Sequence, residues 1–333
     1  MIDFTNFPNG ITSLGVPIVP AGVPVGKNSK SIFTDFRRGA DGNPGTLSKP
    51  VKTINEALSR ARSYRNDTIY LISDGGFLEE DNEENSTFYT DEPIIWNKDQ
   101  VHLVGLSTQS SLAKTTSIKD SVGSDISTLF KVEADHCFFS NVRMDLANNN
   151  VDEAQVCLEC GGLGNLFINC NISGAYSNAA VANAGTRALL LDSGGGIDFI
   201  NSSIGYEASA NEITSEAQIE FKNTFSSTFC GRYNFNDCSV ITKTSSATHL
   251  FVKSDDASDS IVLPVRFKDT SFQNVGSAEM TAAVSSHASL ESFILLSTNA
   301  DTEMTGCANW TAADVPEVRR TGTDGKYLNA YIP

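Results

Sequence analysis

Histidine, tryptophan and charge are all scarce in this chain. Four His and two Trp stand among 333 residues, and Asp, Glu, Lys and Arg together make 19% of them, below the ~25% of an average soluble domain. The histidines, His102, His136, His249 and His287, are scattered singly. With no His-x-x-x-His pair and no Ser-His-Asp neighbourhood, neither a helical metal site nor a nucleophilic triad is legible. No run approaches the ~18 apolar residues of a membrane span. The seven Cys are an odd number with one C-x-x-C, Cys157 and Cys160, and no second pair to complete a zinc site. Free buried thiols in a reducing compartment are the expectation. The first residues carry no basic stretch followed by an apolar one, so no secretory signal is expected, and maturation in the cytoplasm is. Basic charge is short too: 24 Lys and Arg face 40 Asp and Glu, a net charge of −16. Such a chain repels phosphate backbones, which argues against nucleic acid as a partner.

Gly, Ser, Thr and Asn fill the gap left by charge, and 40% hydrophobic residues suffice for a core. That composition suits a turn-rich β protein. Length alone suggests two domains at ~150 residues each, but repeat folds grow by layers and escape that rule.

A repeat is present. Five hexads align: Phe139-Ser-Asn141-Val-Arg-Met144, Phe167-Ile-Asn169-Cys-Asn-Ile172, Phe199-Ile-Asn201-Ser-Ser-Ile204, Phe235-Asn-Asp237-Cys-Ser-Val240 and Phe267-Lys-Asp269-Thr-Ser-Phe272. Short alternating segments precede each Phe: Phe130/Val132, Val156/Leu158, Leu189/Leu191, Ile219/Phe221 and Leu250/Val252. An invariant hexad with variable insertions, recurring about every 30 residues, reads as a solenoid with loops on its outside. The spacing predicts a parallel β-helix over residues 67–300, its five Phe in one inward column at the ~4.8 Å strand spacing and its Asn/Asp column at a turn. Cys170 and Cys238 share the small slot that Val142, Ser202 and Thr270 fill elsewhere, two coils apart and too distant for a disulfide. Gly161-Gly162-x-Gly164 and Gly194-Gly195-Gly196 precede Phe167 and Phe199 and read as coil turns.

Ahead of the repeat, residues 1–30 alternate Pro8, Pro17, Pro20 and Pro24 with Gly10, Gly15, Gly22 and Gly26. Proline excludes a helix or a central strand here. Ile11, Leu14, Val16, Ile18, Val19, Val23 and Val25 make the segment too apolar for a solvated linker. An extended arm is expected, laid on a partner or folded back on its own chain. Residues 31–66 hold tight-turn signals at Asp41-Gly42-Asn43-Pro44-Gly45. Ile54, Ala57, Leu58 and Ala61 then follow at helical spacing. They predict one amphipathic helix of about four turns from near Pro50 to Tyr64, with Ser48 as its cap. Residues 301–333 are read as a terminal cap.

The motifs Phe33-x-Asp35, Gly39-x-Asp41-Gly-Asn-x-Gly-Thr46, Pro50-x-x-Thr53-Ile54-x-x-Ala57-Leu58 and Asp67-Thr-Ile resemble the opening signature of right-handed parallel β-helix proteins. Together with an arm such as Phe7–Pro17 they resemble proteins of tailed-phage virions, capsid decoration or spike proteins first and tailspikes more distantly. The resemblance implies an all-β, right-handed single-stranded parallel β-helix whose short helix caps the open end. It implies a virion location, anchoring to the major capsid protein or another virion protein through residues 1–30, and a homotrimer. That family shares no common catalytic residues.

An enzymatic reading needs a carboxylate pair in a groove. Asp74, Glu79, Glu80, Asp81, Glu83, Glu84, Asp91 and Glu92 crowd one segment, and Asp255, Asp256 and Asp259 another; such runs are usually solvated loops. The expectation is therefore a structural virion protein, not an enzyme, with no catalytic residue, metal or cofactor assigned. The alternative is a tailspike or tail fibre that binds or depolymerises host-surface polysaccharide. Residues 27–66 hold nine Lys and Arg against Asp35, Asp41 and Glu56. A positive leading end with an apolar arm suits docking on an acidic surface; an asymmetry without purpose stands beside that reading.

Overall fold

The structure is a computed structural model. It describes residues 11–13, 16–19, 23, 24, 26, 28–73, 87–106, 116–146, 154–175, 182–205, 212–222, 231–254, 265–286, 294–297, 304–308, 318–321 and 327–329. These residues form a parallel β-helix with one helix, as the hexads and the resemblance led one to expect. Three sheets of eleven, eight and seven strands run along it. From Thr68–Leu71 to Met304–Thr305, successive strands belong to successive sheets, so each of these coils takes one strand from each. The first sheet starts at Ser31–Thr34, ahead of the helix, and its last parallel strand is Val318–Thr321, to which Tyr327–Asn329 adds antiparallel.

Register follows the hexad. Phe139, Phe167, Phe199, Phe235 and Phe267 are cross-strand partners in the first sheet. Their rings stack at 4.7, 4.8, 4.9 and 4.5 Å, with interplanar angles of 13° or less. All five are essentially inaccessible. Each burial stabilises by ~2–3 kcal/mol, and each offset pair by roughly 1 kcal/mol more. Met144, Ile172, Ile204, Val240 and Phe272 face them from the second sheet, and Leu158, Leu189, Ile219 and Val252 from the third, in one continuous core.

The hexad's third position has a backbone reason. Asn141, Asn169, Asn201, Asp237 and Asp269 adopt φ of 55°, 52°, 46°, 52° and 50°. One left-handed residue turns the chain from the first sheet into the second, and Asn and Asp tolerate that region better than other side chains. The amides also form a ladder: Asn169 Nδ2 donates to Asn141 Oδ1 at 3.2 Å, and Asn201 Nδ2 to Asn169 Oδ1 at 2.7 Å. In the next slot, Cys170 and Cys238 are buried and free. Their thiols, like the hydroxyls of Ser202 and Thr270, donate to the carbonyl two residues back. Burial pushes both thiols up to about 12.

The helix is shorter than its apolar spacing predicts. It spans Ile54–Arg60, and its N-cap is Thr53, whose hydroxyl accepts from the Glu56 N–H at 3.2 Å; Ser48 plays no such part. The reason is a competing ladder. Val51 bridges Thr34 in parallel, its N–H donating to Phe33 O and its carbonyl accepting from Asp35 N–H. Those groups are spent on the sheet, so the helix starts after them. It ends where Ala61 turns extended, and Lys98 Nζ donates to the carbonyls of Ser59 and Ala61 at 2.7 Å each. Ile54, Ala57, Leu58 and Ala61 are all buried in the main core and close its leading end.

Part of the N-terminal segment lies on its own chain. Ile11–Ser13 and Val16–Val19 pair as an antiparallel ribbon. Val23, 7% exposed, packs with Tyr70, Val104 and Phe138 on the outside of the first sheet. Of the seven apolar residues expected to seek cover, this one finds it in cis. The side chains of the other six lie outside the described residues.

Candidate functional site

A cleft of about 660 Å³ opens at the leading end, between the segment that enters the helix and the first strand of the second sheet. Asp41 shapes one wall. Its carboxylate accepts from the N–H groups of Lys52 and Thr53, both at 2.9 Å, and from the Thr53 hydroxyl at 3.1 Å. That turn starts the helix and leaves Lys52 and Asn55 lining the cleft. The opposite wall is Phe88, Tyr89 and Thr90, continued by Asp91 and Glu92. Asn55 Nδ2 donates to Glu92 Oε1 at 2.8 Å and ties the walls together.

Aromatic rings form the interior. Phe36 meets Phe88 edge-on at 6.3 Å and Tyr89 at 5.7 Å, and the Lys52 ammonium sits 5.1 Å from the Phe36 ring centre. Such a contact contributes ~0.5–1 kcal/mol at an exposed site. Asp41 is committed to backbone groups and one Glu92 oxygen to Asn55. Asp91 is exposed, with no hydrogen-bond or ion-pair partner among the described residues. The cleft thus joins an apolar wall to carboxylate acceptors and one ammonium donor.

Two further surfaces stand out. Outside the first sheet, the apolar patch gives way along the axis to Asp198, which accepts from Asn234 Nδ2 at 2.5 Å, and then to exposed Arg266 and Lys268. At the buried end of this face His102 accepts the Phe138 N–H on Nδ1 at 3.1 Å, so its Nε2–H donates to Asn66 Oδ1, also at 3.1 Å. Burial lowers this imidazole to about 4 and keeps it neutral. On the third sheet, the buried Arg187 guanidinium binds Glu220 at 2.9 Å, Glu216 at 3.1 Å and the carbonyls of Ala184 and Thr186. Lys253 joins through Glu216, whose carboxyl is held below its ordinary range first by the Lys253 hydrogen bond. Sequence reading missed this network. Its signal was the 33-residue step from Arg187 to Glu220, one coil.

Of the acidic residues singled out in the sequence, Asp91 and Glu92 reach the cleft. Asp74, Glu79, Glu80, Asp81, Glu83, Glu84, Asp255, Asp256 and Asp259 lie outside the described residues. Cys157 and Cys160 are free and buried, and burial raises both thiols. Three positions apart on one strand, they point to opposite faces and cannot share a metal. No group of metal-ligating side chains exists among the described residues. His249 is buried and neutral, its Nδ1–H donating to Ser215 O at 2.6 Å and Nε2 accepting from the Thr242 hydroxyl at 3.0 Å. His136 is exposed, with φ 56°. His287 lies outside the described residues. Trp96 is a core residue, fully buried and bonded to Val101 O.

No family model and no curated protein matches the chain. Similarity appears with solved structures. Pectate lyase Pel9A is 13% identical, with 87% of this chain and 78% of that one covered and a TM-score of 0.48. A pectin methylesterase from Aspergillus niger is 14% identical over 92% and 89%, with a TM-score of 0.47. The ORF18 protein of Geobacillus virus E2 is 10% identical over 81% of this chain and 57% of that one, with a TM-score of 0.44. The first two correct one expectation: the chain is similar to a lyase and an esterase, so its reading as a non-enzyme does not stand. The physical reason lies in the coil. Residues about 30 positions apart become neighbours at ~4.8 Å, so catalytic groups can assemble from several coils with no linear motif, and the absence of one in the sequence excluded nothing.

Proposed function

We propose that this chain is a structural component of a tailed-phage virion, a decoration or spike of the head, held there as a trimer by residues 1–30. The supporting observation is the build of the leading end. The motif that carries the resemblance folds as a dense closure of the solenoid, and Val23 ties the preceding segment to the outside of that same end. Lys30, Arg37, Arg38, Lys49, Lys52, Arg62 and Arg65 are exposed around it. An apolar segment emerging from a basic end suits docking on an acidic partner surface. Trimerisation would shield the long flat faces and ends of a solenoid. Removing residues 1–22, which spares Val23, should leave the β-helix folded by circular dichroism and abolish incorporation into virions imaged by electron microscopy. Normal occupancy by the truncated chain would remove the anchor from this reading.

One observation favours a second reading, polysaccharide binding at the host surface. The leading cleft combines the aromatic wall of Phe36, Phe88 and Tyr89 with hydrogen-bonding carboxylates, the mixture by which concave sites hold ligands that are apolar on one side and polar on the other. Calorimetric titration of the protein with host-surface polysaccharide, with and without Tyr89→Ala, tests it.

A further inference from the structure

We infer that the leading cleft selects a neutral or amine-bearing glycan and rejects an acidic one. The inference rests on the polysaccharide-binding reading and goes further, to the class of sugar.

The argument is one of charge at close range. Among the described residues, Asp41, Asp91 and Glu92 line the cleft against a single cation, Lys52. The Asp41 charge is met by three donors of its own chain. Asp91 and Glu92 are exposed at the rim, and Asn55 engages only one Glu92 oxygen. A sugar seated on Tyr89 and Phe36 therefore meets two adjacent carboxylates at its edge. Hydroxyls donate to carboxylates in charge-assisted bonds, and ammonium groups add an opposite charge to the same contact. A uronate offers a like charge instead, which costs about 1 kcal/mol per pair at 4 Å in water and more in a cleft. Lys52, held against the Phe36 ring, offsets part of this charge, and the lining carboxylates still outnumber it. That position also shows the aromatic wall accepting a cation on its π-face.

The test is calorimetric titration of the full chain with three hexasaccharides: hexaglucosamine, maltohexaose and hexagalacturonate. Hexaglucosamine should bind tightest, maltohexaose next, and hexagalacturonate about tenfold or more below hexaglucosamine. In the Asp91→Asn/Glu92→Gln double variant, the gap between the cationic and acidic sugars should close by about tenfold. Those positions are exposed, and an unchanged melting curve checks that folding is retained. Tyr89→Ala should remove binding of hexaglucosamine and maltohexaose together. Hexagalacturonate binding best, or a sugar preference unchanged in the double variant, would overturn the charge inference while leaving polysaccharide binding in place. No heat with any of the three sugars would overturn both.

Discussion

The leading end and the middle coils solve one problem by opposite means. Along the coils from Phe139 to Phe272, each strand's backbone groups are met by the next coil, and the same six-residue unit recurs with the same stacking and the same left-handed turn. At the leading end the ladder runs out, and nothing repeats. Three carboxylates take over. Asp35 accepts from the N–H groups of Arg37 and Arg38, Asp41 from those of Lys52 and Thr53, and Asp67 from those of Lys30 and Arg62. Gly39 belongs to the same device, since a Cβ there would lie 2.2 Å from Val51 O. A solenoid needs little specific chemistry where it repeats and much where it starts, because unmet backbone donors are expensive to bury.

The largest effect should separate the two regions directly. Phe199→Ala removes a fully buried ring with a stacked neighbour on either side, and about 3–5 kcal/mol of stability should go with it. Asp67→Ala leaves two part-buried N–H groups and the Arg62 side chain without this partner, at about 1–3 kcal/mol. Chemical denaturation measures both. Hydrogen exchange then sharpens the comparison: Asp67→Ala should speed exchange near residues 30–72 and spare the coils, and uniform acceleration would show one cooperative unit instead.

A smaller effect should come from pH. His102 in the leading coil and His249 in the middle are each lowered to about 4, chiefly by burial. An unfolded histidine titrates near 6.5, so between these values the unfolded chain binds more protons than the folded one. Stability is full above about pH 6.5 and falls as pH drops towards 4. At pH 5.5 the loss should be about 1 kcal/mol per histidine. His102→Gln and His249→Gln, followed by denaturation across pH, assign the slope to one region or the other. A flat profile in the parent protein would contradict the buried neutral state.

An effect of similar size tests the turn column. Asn169→Ala loses two amide contacts and strains a φ of 52°, about 1–2 kcal/mol together. Asn169→Gly keeps the φ and should lose under about 1 kcal/mol. Equal losses would mean the amide ladder, not the backbone, sets this position. Thermal melts at matched concentration decide.

Much of this fold was legible because the coil repeats its own constraints. Phe167 and Phe199 could be aligned by eye, and alignment in a parallel coil is contact. The helix was legible only in part: Ile54, Ala57, Leu58 and Ala61 show their face, but nothing local reveals that Val51 is claimed by Phe33 and Asp35. Less of the candidate site was legible. Asp91 and Glu92 looked like part of one solvated acidic run, and Phe36, Lys52 and Tyr89 carried no shared motif.

The sequence by itself determined the coil, its inward phenylalanine column and its left-handed Asn/Asp turns, because those depend on period and on single-residue backbone preferences. Only the tertiary structure decided where the helix begins, that Arg187 is buried among Glu216, Glu220 and Lys253, and that Phe36, Lys52, Tyr89 and Glu92 line one cleft. Those outcomes depend on contacts between residues tens of positions apart, where the chain's path through space, not its local pattern, sets which groups meet.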